Sequence, residues 1–206
     1  MKLSIGLMLA FAALSVAVSA GWTASLDQTV IMETAGHRTP LLNAVAINFT
    51  ALGTAPVICL FASLAALYAV GSGRARIVLA LLWTPLSFFI DNGLKLFFQH
   101  PRPTEAIIAV PDSFSFPSGH AVAASALYIT LALVAAQRER RKGPRRLLVW
   151  SGVLIAVLVA WSRVYLGVHY LSDVVGGLLL GGAGSVAATL VLSRSDNDQE
   201  ARPPVL

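Results

Sequence analysis

Apolar residues in this chain fall into long unbroken runs separated by short polar segments, and neither strand alternation nor a one-sided helical stripe describes them. Six runs stand out, at 3–20, 55–71, 77–98, 121–137, 147–162 and 174–192. A helix crossing a bilayer needs roughly 20 mostly apolar residues, or about 17 at the short end. The pattern therefore predicts an all-α polytopic membrane helical bundle with six transmembrane helices. Six crossings in 206 residues leave no length for a separate soluble domain, so 1–206 reads as a single membrane-embedded domain. The polar end, 193–206, carries adjacent Pro203 and Pro204 and is expected to be a disordered tail.

Breakers and caps organise the connections. Asp27 is expected to cap a short helix that stops at Gly36, and Thr39-Pro40 reads as an N-cap followed by proline at the first helical position. The segment that follows, 41–52, sets Leu41, Leu42, Val45 and Phe49 on one face and reads as an interfacial or re-entrant helix ending at Gly53. Pro85 predicts a kink in the third span. Gly177 and Gly181 form a small-xxx-small pair in the sixth, which lets a neighbouring helix approach closely. The first run, ending Val18-Ser19-Ala20, also has the form of a cleavable signal peptide. It is taken here as a retained helix, because the apolar run fills the whole segment and an even number of spans suits the charge distribution.

Composition agrees with a membrane class, with 56% hydrophobic and only 12% charged residues. The net charge of +5 is concentrated between spans two and three (Arg74, Arg76) and between spans four and five (Arg138, Arg140, Arg141, Lys142, Arg145, Arg146). The positive-inside rule puts both loops and both termini in the cytoplasm of a cell-membrane protein. These basic residues read as topology determinants, and no nucleic-acid partner is expected. Cys59, the single cysteine, allows no intrachain disulfide and reads as a small apolar residue.

With that topology, Lys95, His100, Arg102, Asp112, His120, Arg163, His169 and Asp173 all fall at the outer membrane face. Charged groups beside spans are costly without partners, and three of these are cations where the positive-inside bias does not explain them. Lys95 lies near the end of span three, with Arg102 beyond it on a turn stiffened by Pro101 and Pro103. An ammonium and a planar guanidinium suit phosphate oxygens, although such pairs also serve as interfacial anchors. Pro117-Ser118-Gly119-His120 precedes span four, where a helix N-terminus, the Ser118 hydroxyl and an open approach at Gly119 favour an anion. His120 sits beside it, able to donate a proton. His169 and Asp173 stand four residues apart, so a carboxylate can fix the imidazole tautomer and leave the second ring nitrogen free to attack; the plainer reading is a helix-capping pair. Arg163 supplies a third cation. These cations would repel a divalent ion, so neither a metal nor any other cofactor is expected. Asp91, one turn before Lys95, reads as its structural partner, and His100 as a neighbour without a catalytic role.

Lys-x6-Arg-Pro from Lys95 to Pro103, Pro-Ser-Gly-His from Pro117 to His120 and Ser-Arg-x5-His-x3-Asp from Ser162 to Asp173 together resemble the tripartite signature of the type 2 phosphatidic acid phosphatase superfamily. Every signature residue is present in order, and the six-span layout fits as well. The resemblance implies that His169 is the nucleophile, forming a phosphohistidine, with Asp173 orienting it. It implies that His120 is the general acid and that Lys95, Arg102, Ser118, Gly119 and Arg163 hold the phosphoryl oxygens, without metal. A site at the outer face suits a lipid phosphate as partner, such as undecaprenyl diphosphate, phosphatidylglycerophosphate or phosphatidic acid, with undecaprenyl diphosphate slightly ahead by analogy. A lipid A phosphatase, a haloperoxidase-like oxidation site and a non-catalytic lipid transporter or sensor are the alternatives. Six apolar spans count against the soluble haloperoxidases, and intact His120, His169 and Asp173 count against a degenerate scaffold.

Overall fold

The computed structural model describes residues 1–200, with side chains to Leu192. Ten α-helices account for nearly all of the described chain, and no strand occurs among the described residues. Helix α1 (Lys2–Ser19) is followed by α2 (Ala24–Gly36), α3 (Pro40–Ala51) and α4 (Ala55–Gly71). Two pieces, α5 (Arg76–Leu81) and α6 (Trp83–Phe98), make one broken span. Another comprises α7 (Gly119–Ala124), a π-helical turn over Ser125–Ile129 and α8 (Thr130–Ala136). The long helices α9 (Lys142–Tyr165) and α10 (Leu171–Glu200) complete the chain.

Five of the six expected spans are long and apolar enough to cross a membrane on their own. The remaining one, α4, has 17 residues and continues from α3 through a bend of 47°, so that α3 and α4 together resemble one broken span or a re-entrant loop. Thr39 caps α3 as its sequence predicts, accepting a hydrogen bond from the Leu42 amide at 3.2 Å with Pro40 at the first position. The break expected at Pro85 lies three residues earlier, at Leu82. Proline has no N–H to donate back to the Leu81 carbonyl four residues before it, and its ring crowds that oxygen.

Two boundary expectations need correction. Residues 142–146 were expected in a basic loop but form the first turn of α9; Pro144 is tolerated there because amides in a first turn have no intrahelical acceptor. Helix α10 continues to Glu200, through the first part of the tail expected to be disordered, while 201–206 lie outside the described residues.

The span built from α7 and α8 lies at the centre and is the most buried of the five, whereas α1 is the most peripheral. Small residues allow this packing. A Cβ on Gly181 would stand 2.5 Å from the Val122 carbonyl oxygen and 2.6 Å from Ser125 Cβ, and one on Gly177 would stand 2.7 Å from Ala121 Cβ. The small-xxx-small pair thus seats α10 on the central span. Large apolar side chains such as Leu67, Phe89 and Phe97 point outward, as a lipid-facing surface requires. Polar chemistry gathers at one end of the bundle, where α6 stops, α7 starts and α9 turns into α10. Arg74, Arg76 and Arg138 meet at the other end, beside Leu192.

Candidate active site

Helix α6 ends at Gln99, whose backbone is left-handed (φ 49°), and the chain then runs irregularly to Ser118, the N-cap of α7. This stretch folds back over the α9–α10 turn, where Gly167 at φ 76° makes the reversal; a Cβ there would collide with the Glu105 carbonyl. The three motif segments are in direct contact. From the first to the second, the buried pair Lys95–Asp91 lies against the start of α7, so that a Cβ on Gly119 would sit 2.7 Å from Asp91 Oδ2 and 3.0 Å from Lys95 Nζ. From the second to the third, the Ser118 amide donates to the Asp173 carbonyl at 3.0 Å. From the first to the third, Arg102 Nη1 donates to the Val168 carbonyl at 2.9 Å and meets His169 Nε2 at 3.2 Å.

His169 is buried, and both ring nitrogens are engaged. A guanidinium has no acceptor, so Nε2 must present its lone pair to Arg102 and the proton must reside on Nδ1. Nδ1 faces Ser115 Oγ at 3.2 Å and Asp173 Oδ2 at 3.4 Å. The Ser115 hydroxyl donates in turn to Asp173 Oδ2, so a chain runs from the ring N–H through Ser115 to the carboxylate. Burial lowers the His169 pKa from 6.5 to about 4, against the upward pull of Asp173. The ring is neutral at pH 7, with its Nε2 lone pair turned to Arg102.

Asp173 is fully buried and its carboxylate holds two further contacts. Oδ2 accepts from the Tyr170 amide at 2.8 Å, and Oδ1 meets His100 Nδ1 at 3.1 Å. Since α10 begins at Leu171, Asp173 is its third residue and reaches back to the N-cap amide as in a capping box. The same carboxylate thus caps α10 and faces the His169 ring. His100, read from the sequence as a neighbour without a catalytic role, is a direct partner of the Asp173 carboxylate.

Arg102 uses all five of its N–H donors, with Nε to the Ser113 carbonyl at 2.7 Å and Nη2 to Ser113 Oγ and the Phe114 carbonyl at 3.0 and 3.2 Å. Arg163, on the last turn of α9, donates from Nη1 to Thr50 Oγ1 at 2.6 Å. Its buried Nε has no protein partner, nor has the buried Ser118 hydroxyl. Asp91 Oδ1 is likewise unpartnered, on the side of the carboxylate that Lys95 does not use. His120, the second residue of α7, packs across Gly53, where a Cβ would stand 3.0 Å from its Cδ2.

The arrangement holds a neutral imidazole, a second imidazole and three cations, together with two buried donors, Arg163 Nε and the Ser118 hydroxyl, that have no protein partner. Lys95, Arg102 and Arg163 outnumber the carboxylates Asp91 and Asp173, both of which are already bonded, so an added anion meets favourable charge. No group of three or more His, Cys, Asp or Glu side chains among the described residues is disposed to hold a metal ion. Ser115 and Thr50 belong to the site without a signal of their own in the sequence, whereas His100 already stood among the titratable residues of the outer face. Ser115 stands two residues before Pro117 and lies outside the signature.

The family model for the PAP2 superfamily matches residues 76–196, which span α5 to most of α10. Phosphatidylglycerophosphatase B of Bacillus subtilis (strain 168) is 33% identical over 185 residues, covering 86% of this chain and 88% of that protein. An undecaprenyl-diphosphatase of Sulfolobus acidocaldarius is 36% identical over 104 residues, 50% of this chain and 46% of that one. Among solved structures, a transmembrane PAP2 type phosphatidylglycerolphosphate phosphatase from Bacillus subtilis superposes with a TM-score of 0.83 at 29% identity, covering 94% of this chain and 98% of its own. By the reach of the family model and of the first of these relatives, the chain belongs to the PAP2 superfamily.

Proposed function

We propose that this protein is a membrane lipid phosphatase that hydrolyses a phosphate monoester or diphosphate through a phosphohistidine on His169. The observation that carries the reading is the state of the His169 ring, with its proton tied to Ser115 and Asp173 and its lone pair directed at Arg102. A phosphate oxygen takes the Arg102 contact and uncovers Nε2. The lone pair then attacks phosphorus while the bond to the leaving oxygen breaks, and His120 gives that oxygen its proton. In the second half His120 takes a proton from water, the water oxygen attacks phosphorus, and the P–N bond breaks to release phosphate and His169.

Lys95, Arg102, Arg163, the Ser118 hydroxyl and the open approach at Gly119 stabilise the three equatorial oxygens, where phosphoryl transfer concentrates its charge. The cation excess supports a reaction without a metal cofactor. Separation of the site from Arg74, Arg76 and Arg138 at the far end supports an outward-facing active site with cytoplasmic termini.

For the substrate, the likeness to phosphatidylglycerophosphatase B covers 86% of this chain against 50% for the undecaprenyl-diphosphatase, which moves phosphatidylglycerophosphate ahead of undecaprenyl diphosphate. The test is phosphate release in detergent from these two lipids, phosphatidic acid and a soluble phosphate ester, with and without chelator. Activity on a lipid phosphate that survives chelator and vanishes in His169→Ala is expected. Full activity in that variant would sink the mechanism, and strict metal dependence would sink the metal-free reading.

A further inference from the structure

Asp27 lies on α2, outside the residues matched by the family model and outside the three motifs. Its sequence position suggested a cap for its own helix. Helix α2 instead starts at Ala24 after Thr23, and the Asp27 side chain turns away from it. The carboxylate is buried and spends both oxygens on one residue, accepting from the Ser172 amide at 2.9 Å and from the Ser172 hydroxyl at 2.7 Å.

Ser172 is the second residue of α10, so Asp27 caps that helix from across the fold. The first turn of α10 is therefore held by two carboxylates, Asp27 on the Ser172 amide and Asp173 on the Tyr170 amide. Helix N-termini leave their first amides without intrahelical acceptors, and a nearby anion also favours the macrodipole. If Asp27 is lost, the Ser172 amide is buried and unsatisfied, and Asp173 alone restrains the turn. Asp173 must then serve the helix and His169 at once.

We infer that Asp27 is a positioning residue for catalysis: by anchoring Ser172 it sets the rotation of the first turn of α10, and with it the aim of Asp173 at Ser115 and His169. This rests on His169 being the nucleophile. The anchor makes the N-terminal layer part of the reactive machinery, with α2 reaching the catalytic turn directly. It touches no phosphate-binding group, so phosphate affinity should not depend on it.

The experiment compares Asp27→Ala, Asp27→Asn and Ser172→Ala with the wild type and His169→Ala in the full chain, in detergent. Rates are taken per folded protein from size-exclusion chromatography, and inorganic phosphate serves as a competitive inhibitor. Asp27→Ala should lower kcat about tenfold or more, with KM and the phosphate inhibition constant within twofold of wild type. Asparagine still offers an oxygen to the Ser172 amide and an NH2 to its hydroxyl, so Asp27→Asn should recover most of the rate. Ser172→Ala keeps the amide contact and should lose less than Asp27→Ala; it also carries the test if the latter fails to fold. Wild-type kcat in Asp27→Ala, losses shared equally with phosphate binding, or no recovery with asparagine would overturn the inference. An active His169→Ala would instead overturn the mechanism beneath it.

Discussion

Replacing Ser115 with alanine removes a single oxygen from a fully buried position between His169 and Asp173. Two contacts go with it: the acceptor for the His169 Nδ1 proton, and one of the donors to the Asp173 carboxylate. Asp173 keeps the Tyr170 amide at 2.8 Å and His100 at 3.1 Å, so it does not become an unpaired buried charge. The ring fares worse, because its remaining acceptor, Asp173 Oδ2, is 3.4 Å away and beyond good hydrogen-bonding distance. A hydrogen bond to a charged group contributes about 1.5–3 kcal/mol, and the surviving partners of Asp173 place this loss near the lower figure. In the proposed reaction the need for an acceptor on Nδ1 grows as Nε2 bonds to phosphorus and the ring becomes cationic, so the loss should fall mainly on the transition state. At about 1.4 kcal/mol per factor of ten, kcat should drop roughly tenfold to thirtyfold with little change in KM. Initial rates of phosphate release against the lipid's mole fraction in mixed micelles separate the two constants. A kcat within twofold of wild type, or a loss confined to KM, would refute the proton chain through Ser115.

Other expectations follow from the same geometry. Burial keeps His169 neutral down to about pH 4, against 6.5 for an exposed imidazole, so between those values the unfolded chain takes up the proton and stability rises with pH. The unfolding free energy of wild type relative to His169→Gln, followed by thermal unfolding, should therefore rise by up to roughly 3 kcal/mol as pH goes from 4 to 6.5, at 1.36 kcal/mol per unit; parallel profiles would contradict it. Asp91→Asn leaves the buried Lys95 without its counter-charge and should cost about 3–5 kcal/mol, measured by thermal unfolding in detergent, whereas Asp91→Leu with Lys95→Met should regain stability but not activity. Gly181→Val drives side-chain atoms into the Val122 carbonyl and should destabilise the bundle by about 1–3 kcal/mol or more, while Gly182→Ala, whose Cβ meets nothing nearer than 3.8 Å, should be neutral.

What the sequence determined by itself was the part of this protein that local physics controls. Apolar runs of bilayer length specify helices because a backbone in lipid must satisfy its own hydrogen bonds, and Thr39-Pro40 specifies a helix start within four residues. Pro85 announces a break, and the Gly177–Gly181 pair a close helix contact. The three motifs named Lys95, Arg102, Ser118, Gly119, His120, Arg163, His169 and Asp173 as one set because their chemistry suits a single anion. The partners of those residues were another matter. Ser115 lies 54 residues from His169 and 58 from Asp173, His100 lies 73 from Asp173, Thr50 lies 113 from Arg163, and Asp27 lies 145 from Ser172. No helical period or capping rule reaches across such separations. Only the packing of α2, α3 and the 99–118 segment around the α9–α10 turn brings these groups within hydrogen-bonding distance. That packing decides which nitrogen of His169 faces Arg102 and which faces Ser115, and it gives the first turn of α10 a second carboxylate from Asp27.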